Sequence, residues 1–365
     1  MDRDASLLPG QRLRARGAGS NHAGRYEAQA REAFDDGWDL AEEDRLLRTE
    51  VRIELPRSAL TYNRSPDLPF DRSINPYRGC EHGCIYCFAR PSHAWLNLSP
   101  GLDFETRLIF KPEVGELLEK ELRKPGYVCR PMALGTNTDP YQPVERTLKL
   151  TRAVLEVLDR FNHPVTIVTK SAGVVRDSDI LASMARRRLA RVAISVTTLD
   201  AGLARRMEPR AASPARRLAA VTELARAGIP VAVFAAPMIP GLNDSEMEKI
   251  IEAASRAGAR QVQYILLRLP HELRQLFEDW LNTHYPERAK HVLNLIRETR
   301  AGALNDARFG KRFSGTGVYA ELMRRRFERA ARQWGLDAPM DALDTSRFAA
   351  PVLAEAQGEK QLSLF

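Results

Sequence analysis

Cysteine is scarce in this 365-residue sequence: there are four, and three of them fall inside one short stretch, "CEHGCIYC". So few, so placed, exclude a disulfide framework. Long apolar runs are also missing. The longest, "VAVFAAPMI" from Val231, is too short to span a bilayer and is broken by Pro237. The opening "MDRDASLLPG" is acidic and has no apolar core, so no secretory signal is expected and the protein is expected in the cytoplasm, with no membrane partner. The patterns G-x-x-x-x-G-K-[ST], G-x-S-x-G and H-E-x-x-H are all absent. Their absence removes the phosphate loop, the nucleophile elbow and the helical zinc-protease motif from consideration.

What is present is a globular composition, 44% hydrophobic and 28% charged, with a net charge of +8. Arginine supplies most of the positive charge and clusters in "MARRRLAR", "RRMEPRAASPARR" and "ELMRRRFERAARQ". Such clusters make either a surface for phosphates or the solvated face of Ala- and Arg-rich helices, and charge patterning leaves both open.

Residues 1–55 read as an extended, partly disordered arm, being polar and rich in Gly, Ala and Arg. From about residue 70 the pattern alternates. A short strand leads into the cysteines, and apolar strands at "RPMALGTN", "HPVTIVTK", "RVAISVTT", "IPVAVFAAPM" and "RQVQYILLRL" are separated by single amphipathic helices. The long run "PVERTLKLTRAVLEVLDRF" reads as one helix, and Asp177 or Ser178 as the cap of "DSDILASMARRRL". Six strand–helix units predict an α/β fold with a parallel sheet, either a partial barrel or an open doubly wound sheet. In both the site lies at the carboxyl ends of the strands. Residues 271–335 read as a helical extension of a core spanning 56–270, and 336–365 as a flexible tail.

The cysteines Cys80, Cys84 and Cys87 have the spacing C-x3-C-x2-C, in a loop that follows the first strand of that domain. A structural zinc wants four ligands, for which His82 or the distant Cys129 would be candidates. Three thiolates on a four-iron cluster leave one iron open to substrate.

This spacing resembles that of the radical S-adenosylmethionine (SAM) superfamily, and within it the spore photoproduct lyase, or DNA repair photolyase-like, group. "CIYCF", "TNTDPYQPVE", "IVTK", "ISVTT" and "MEPR" carry the likeness across roughly 70–270. The resemblance implies a partial (β/α)6 TIM-like barrel, a [4Fe-4S] cluster on Cys80, Cys84 and Cys87, and reductive cleavage of SAM to a 5′-deoxyadenosyl radical. It implies that Phe88 uses its backbone near the adenine and that Lys170 meets the methionyl carboxylate. Ser195 would lie near the ribose or methionyl moiety, and Thr138 and Asp139 would turn polar groups toward the cofactor. An electron donor such as flavodoxin or ferredoxin is implied too. Glu208 with Arg210 or Arg216 reads either as a pocket-shaping ion pair or as a solvated helix face.

One departure stands out. The lyase ends its second strand on a cysteine that donates a hydrogen atom, whereas here the position is Thr136 or a neighbour. Cys129 lies seven residues earlier, on the order of 20 Å away along an extended strand, and reads as an inert thiol.

Two features lie outside that core. "RFGKRFSGTGVY", from Arg308, combines cations, glycines and aromatics, as either a nucleic-acid contact or a plain loop. The terminal "QLSLF" resembles the pentapeptide by which repair proteins dock on the sliding clamp, with Leu362, Leu364 and Phe365 filling an apolar pocket and Gln361 fixing register. The expected function is therefore a radical SAM enzyme acting on DNA. The alternatives are a radical SAM enzyme modifying RNA, a protein or a metabolite, and a non-catalytic metal-stabilised DNA or clamp adaptor.

Overall fold

The computed structural model describes residues 16–27 and 48–352. Gln361, Leu362, Leu364 and Phe365 lie outside the described residues. Ten strands occur in chain order: β1 Glu50–Ile53, β2 Leu60–Tyr62, β3 Arg72–Ile74, β4 Tyr77–Arg78, β5 Arg107–Phe110, β6 Met132–Leu134, β7 Val165–Thr169, β8 Ala190–Ser195, β9 Val231–Met238 and β10 Gln261–Leu266. The main sheet has the order β10-β9-β8-β7-β6-β3-β2. Its first six members pair in parallel and β2 joins the edge antiparallel. Among the described residues β10 and β2 do not pair with each other, so the sheet stays open as a partial barrel, the α/β architecture that strand–helix alternation predicts.

Each inner strand is apolar enough to be covered on both faces, as parallel strands require. Val192 and Ile194 of β8 and Val231 and Val233 of β9 are fully buried. The covering helices present one stripe each. In Leu150–Arg160 the buried residues are Leu150, Thr151, Val154, Leu155, Val157 and Leu158, at helical spacing, while Arg152 on the far side pairs with Asp179 at 2.9 Å. This helix does not extend back to residue 143. Lys149 adopts φ 53 and separates it from a short turn, Glu145–Leu148, whose Glu145 carboxylate accepts from the Thr151 N–H. Asp177 does stand at the N-cap of Ser178–Arg186, but it makes no capping bond, because Arg152 and Arg176 take its carboxylate. Among the described residues no helix is long and apolar enough to cross a membrane.

The alternation pattern does not reveal a second, three-stranded sheet in the order β1-β5-β4. It holds β4, which runs directly into the cysteine loop, and the Arg78–Glu54 pair at 2.7 Å braces it.

The helical extension consists of Leu273–His284, Pro286–Glu298 and Gly317–Gln333. It is built into the core: Phe277, Trp280, Leu281 and Leu293 share one apolar cluster with Ile85 and Tyr86 of the cysteine loop. Part of the amino-terminal arm is likewise packed in. The Gly17 and Ala18 N–H groups donate to buried Glu105 at 2.9 and 2.8 Å. A Cβ on Gly17 would stand 1.7 Å from the Gly83 carbonyl oxygen, so only glycine permits this approach to the loop.

Candidate active site at the carboxyl ends of the sheet

The cysteine loop leaves β4 through Gly79 and reverses at Gly83, both at positive φ. Its backbone is held from outside at successive points. Cys80 N–H donates to Phe104 O at 2.9 Å, Glu81 N–H to Gln142 Oε1 at 2.9 Å and Ile85 N–H to Met207 O at 3.0 Å. Arg90, fully buried, donates to the carbonyls of Cys84 (2.8 Å), Gly83 (3.1 Å), Pro100 (3.1 Å) and Gly101 (2.9 Å), and to Glu105 at 2.5 Å. With so many fixed points the loop is preorganised rather than shaped by what binds it.

The three thiols are free; Cys80 and Cys84 are buried and Cys87 partly so. Burial pushes the Cys80 and Cys84 thiols up, with Asp139 adding at Cys80 and Glu208 at Cys84. Deprotonation here calls for a bound cation to take the place of the protons. Among the described residues no group of three or more His, Cys, Asp or Glu is placed to hold a single metal ion. The two candidate fourth ligands are also otherwise placed. His82 Nδ1 lies 3.3 Å from Asp139 Oδ2. Cys129 precedes β6, at the far end of the sheet, its thiol pushed up to about 11 by burial. A three-thiol donor set fits a four-iron cluster with one open iron better than a closed zinc site.

Around the loop stand residues from the strand ends. Gly135 lets β6 turn toward it: at φ +86, a Cβ there would lie 1.9 Å from the Val168 carbonyl oxygen. Thr138 is buried and donates to the Tyr77 carbonyl at 3.3 Å. Asp139 is spent within the chain, accepting from Thr169 Oγ1 (2.7 Å), the Lys170 N–H (2.7 Å) and the Tyr141 N–H (2.9 Å). Burial alone would raise its carboxyl, but His82 and these donors bring it down to about 2. Asp139 thus ties the ends of β6 and β7 to the loop. Lys170 Nζ sits 5.6 Å from the centre of the Tyr86 ring. Ser195 ends β8, is buried, and offers its carbonyl to Arg217 at 3.0 Å. Phe88 is half exposed beside Arg268. Thr136 pairs with Asn75 at 3.4 Å.

Glu208 is buried and ion-paired with Arg217, while Tyr86 and Thr197 donate to its other oxygen. Neither Arg210 nor Arg216 is its partner: Arg210 pairs with Glu81 at 3.0 Å. A surface concavity of about 390 Å³, lined by Asn63, Phe70, Asp71 and Arg130, opens at the amino ends of β3 and β6. That is the wrong end for a parallel sheet.

A preorganised three-thiol loop at the carboxyl ends of the six parallel strands of a partial barrel defines an enzyme class built around a loop-held cofactor. A family model for the radical SAM superfamily matches residues 74–254. The chain belongs to that superfamily, which implies SAM and a [4Fe-4S] cluster as cofactors. It is 37% identical to an uncharacterized protein of Mycobacterium tuberculosis over 67% of this chain and 72% of that one. It is 27% identical to an uncharacterized protein of Methanocaldococcus jannaschii over 60% of this chain and 79% of the relative. Among solved structures, spore photoproduct lyase complexed with dinucleoside spore photoproduct has a similar fold, with a TM-score of 0.55 at 15% identity, covering 78% of this chain and 79% of that one.

Proposed function

We propose that this chain is a radical SAM enzyme acting on DNA, in the manner of a repair lyase, with Cys80, Cys84 and Cys87 as the cluster ligands. The observation that carries the reading is the externally braced trio of free thiols, two buried and one partly so, at the carboxyl end of a partial barrel. Bound there, the cluster and SAM supply reductive cleavage of the cofactor's C–S bond and a 5′-deoxyadenosyl radical competent to take a hydrogen atom.

The chain's own groups do the positioning. Lys170 offers an ammonium to the methionyl carboxylate. Ser195 would lie near the ribose or methionyl moiety, Thr138 would turn a polar group toward the cofactor, and the Phe88 backbone would lie near the adenine. Asp139 acts through others, fixing the Lys170 backbone and His82. The Glu208–Arg217–Tyr86 network walls the site with fully partnered polar groups, which keeps bulk water from the reacting centre.

DNA as substrate is supported by the net charge of +8, by the likeness to a lyase whose structure holds a dinucleoside photoproduct, and by the terminal "QLSLF". That peptide would bring the enzyme to the sliding clamp through Gln361, Leu362, Leu364 and Phe365. Thr136 at the end of β6 favours a second reading, a radical SAM enzyme with another substrate, since no thiol stands there to return a hydrogen atom. Anaerobic reconstitution with iron and sulfide, flavodoxin or ferredoxin as reductant, and 5′-deoxyadenosine as readout separates the readings. Release stimulated by damaged DNA supports the first, and release that DNA does not affect supports the second. Bound zinc, no absorbance near 400 nm and no cofactor cleavage would identify a non-catalytic adaptor.

A further inference from the structure

The loop "RFGKRFSGT" returns from the extension to the mouth of the barrel and is fastened there. Leu266 N–H at the end of β10 donates to Phe313 O at 2.9 Å. Buried Arg300 donates to the carbonyls of Leu266 (2.5 Å) and Leu267 (2.9 Å) on the strand side, and to those of Lys311 (3.1 Å) and Arg312 (3.0 Å) on the loop side. Arg312 is anchored in turn on Asp67 at 2.6 Å. Gly310 and Gly315, at positive φ, let the loop fold this tightly.

The outcome is a continuous ladder of rings and guanidinium groups. Arg268 lies 5.2 Å from the Phe88 ring and 5.9 Å from Phe313; Arg312 lies 4.7 Å from Phe313 and 5.2 Å from Phe309. The ladder starts one residue after the last cluster cysteine and leads outward. Its two end rings are open to solvent, Phe88 at 52% and Phe309 at 57% exposure.

Arg268 differs from its neighbours. Arg312 has Asp67, Arg308 has Asp306 and Arg300 has its carbonyls, whereas Arg268 has no hydrogen bond and no carboxylate partner among the described residues. It is half-buried; burial and nearby Arg312 disfavour its charge, while Asp67, already ion-paired with Arg312, favours it only from a distance. An unpaired cation in that position is costly unless an anion meets it. Exposed aromatic faces flanking a fixed cation are what unpaired nucleotides require: bases stack on rings of any sequence context, and the phosphate meets the guanidinium.

Building on the DNA reading above, we propose that Phe88, Arg268, Phe313, Arg312 and Phe309 form a binding track for single-stranded DNA that leads into the barrel, with Arg268 contacting a phosphate and the Phe88 and Phe309 rings stacking bases.

The test uses the full chain with its cluster reconstituted and a fluorescein-labelled oligothymidylate, followed by anisotropy across a salt series, with oligouridylate and duplex DNA in parallel. Phe309→Ala removes an exposed ring and should weaken oligothymidylate binding about 5- to 150-fold. Arg268→Gln should weaken binding and lower the slope of log affinity against log salt by about 0.7, one phosphate on a single strand. Thermal unfolding at the wild-type temperature confirms that each variant is folded. If the wild type binds DNA and both variants bind with unchanged affinity and slope, the ladder is packing only and the track is overturned, while the DNA reading stands. Binding to duplex alone has the same meaning. If Arg268→Gln changes SAM affinity and leaves oligonucleotide binding intact, Arg268 serves the cofactor and the track is again overturned. No DNA binding by the wild type, or a preference for oligouridylate, overturns both.

Discussion

Arg90 offers the sharpest test of how the cysteine loop is held. It is fully buried, as is Glu105, and its guanidinium satisfies the carbonyls of Gly83, Cys84, Pro100 and Gly101 together with that carboxylate. Arg90→Met keeps much of the volume and removes every donor. Glu105 then keeps the Gly17 and Ala18 N–H groups and the more distant charge of Arg16. Breaking a buried pair by removing one partner costs about 3–5 kcal/mol, and each carbonyl left without water or donor adds to this, about 1–3 kcal/mol where water cannot enter. The lower figure already approaches half the stability of a typical domain, about 5–15 kcal/mol. We therefore expect a loss of at least about 3 kcal/mol by denaturant unfolding under anaerobic conditions. Iron content after reconstitution should fall with it, since two of the carbonyls released, those of Gly83 and Cys84, belong to the loop between Cys80 and Cys87. Adding Glu105→Gln should recover part of the loss, because the uncompensated charge is gone. A single variant that loses less than about 1 kcal/mol and takes up full iron would refute the clamp, and with it the claim that the loop is preorganised.

Alanine at Cys80, Cys84 or Cys87 should each abolish absorbance near 400 nm and 5′-deoxyadenosine release, while Cys129→Ala changes neither; equal loss in Cys129→Ala would reassign the ligands. Lys170→Met should weaken SAM binding about 10- to 150-fold, the worth of a charge-assisted bond, with iron content unchanged; isothermal titration reads the first and a colorimetric iron assay the second. His163 is buried, its Nδ1–H on Pro164 O and its Nε2 accepting from Tyr127, and burial lowers it from 6.5 to about 4. The unfolded chain therefore binds this proton first, so stability falls as pH drops from about 6.5 toward about 4, by about 3 kcal/mol in all. His163→Gln should flatten that window in urea titrations, and a wild-type slope surviving in the variant would place the proton elsewhere.

Much of the fold is legible because its strands are short apolar runs separated by single helices, a pattern few architectures share. The location of the cysteines follows from that alternation. What is illegible is long-range pairing. Glu105 meets Arg90 and the backbone of Gly17 across wide gaps in sequence, and no local pattern marks such a junction. Arg217 rather than its neighbour Arg216 reaches Glu208, a choice set by which face of the helix Pro214–Arg226 turns inward. Asp177 looks like a cap in sequence, yet Arg152 from the helix Leu150–Arg160 and its own neighbour Arg176 claim its carboxylate. The small sheet escapes notice because β1 is exposed along its whole length and shows no alternation. Arg268 is unremarkable in sequence; what distinguishes it in space is that it meets two rings but no hydrogen-bonded carboxylate among the described residues.

The shared apolar cluster that joins Ile85 and Tyr86 to Phe277, Trp280 and Leu293 bears on how the protein is made. At ordinary synthesis rates the thiol-bearing segment leaves the ribosome on the order of ten seconds or more before the helices that will lie beneath it. During that interval the cysteines are reachable by oxygen and by stray metal, and their loop lacks its floor. If these thiols hold the cluster, its loading is thus a race against translation. Slower growth in the cold lengthens the exposed interval, so holoprotein yield should depend on iron supply and oxygen tension during expression more than on the stability of the finished fold.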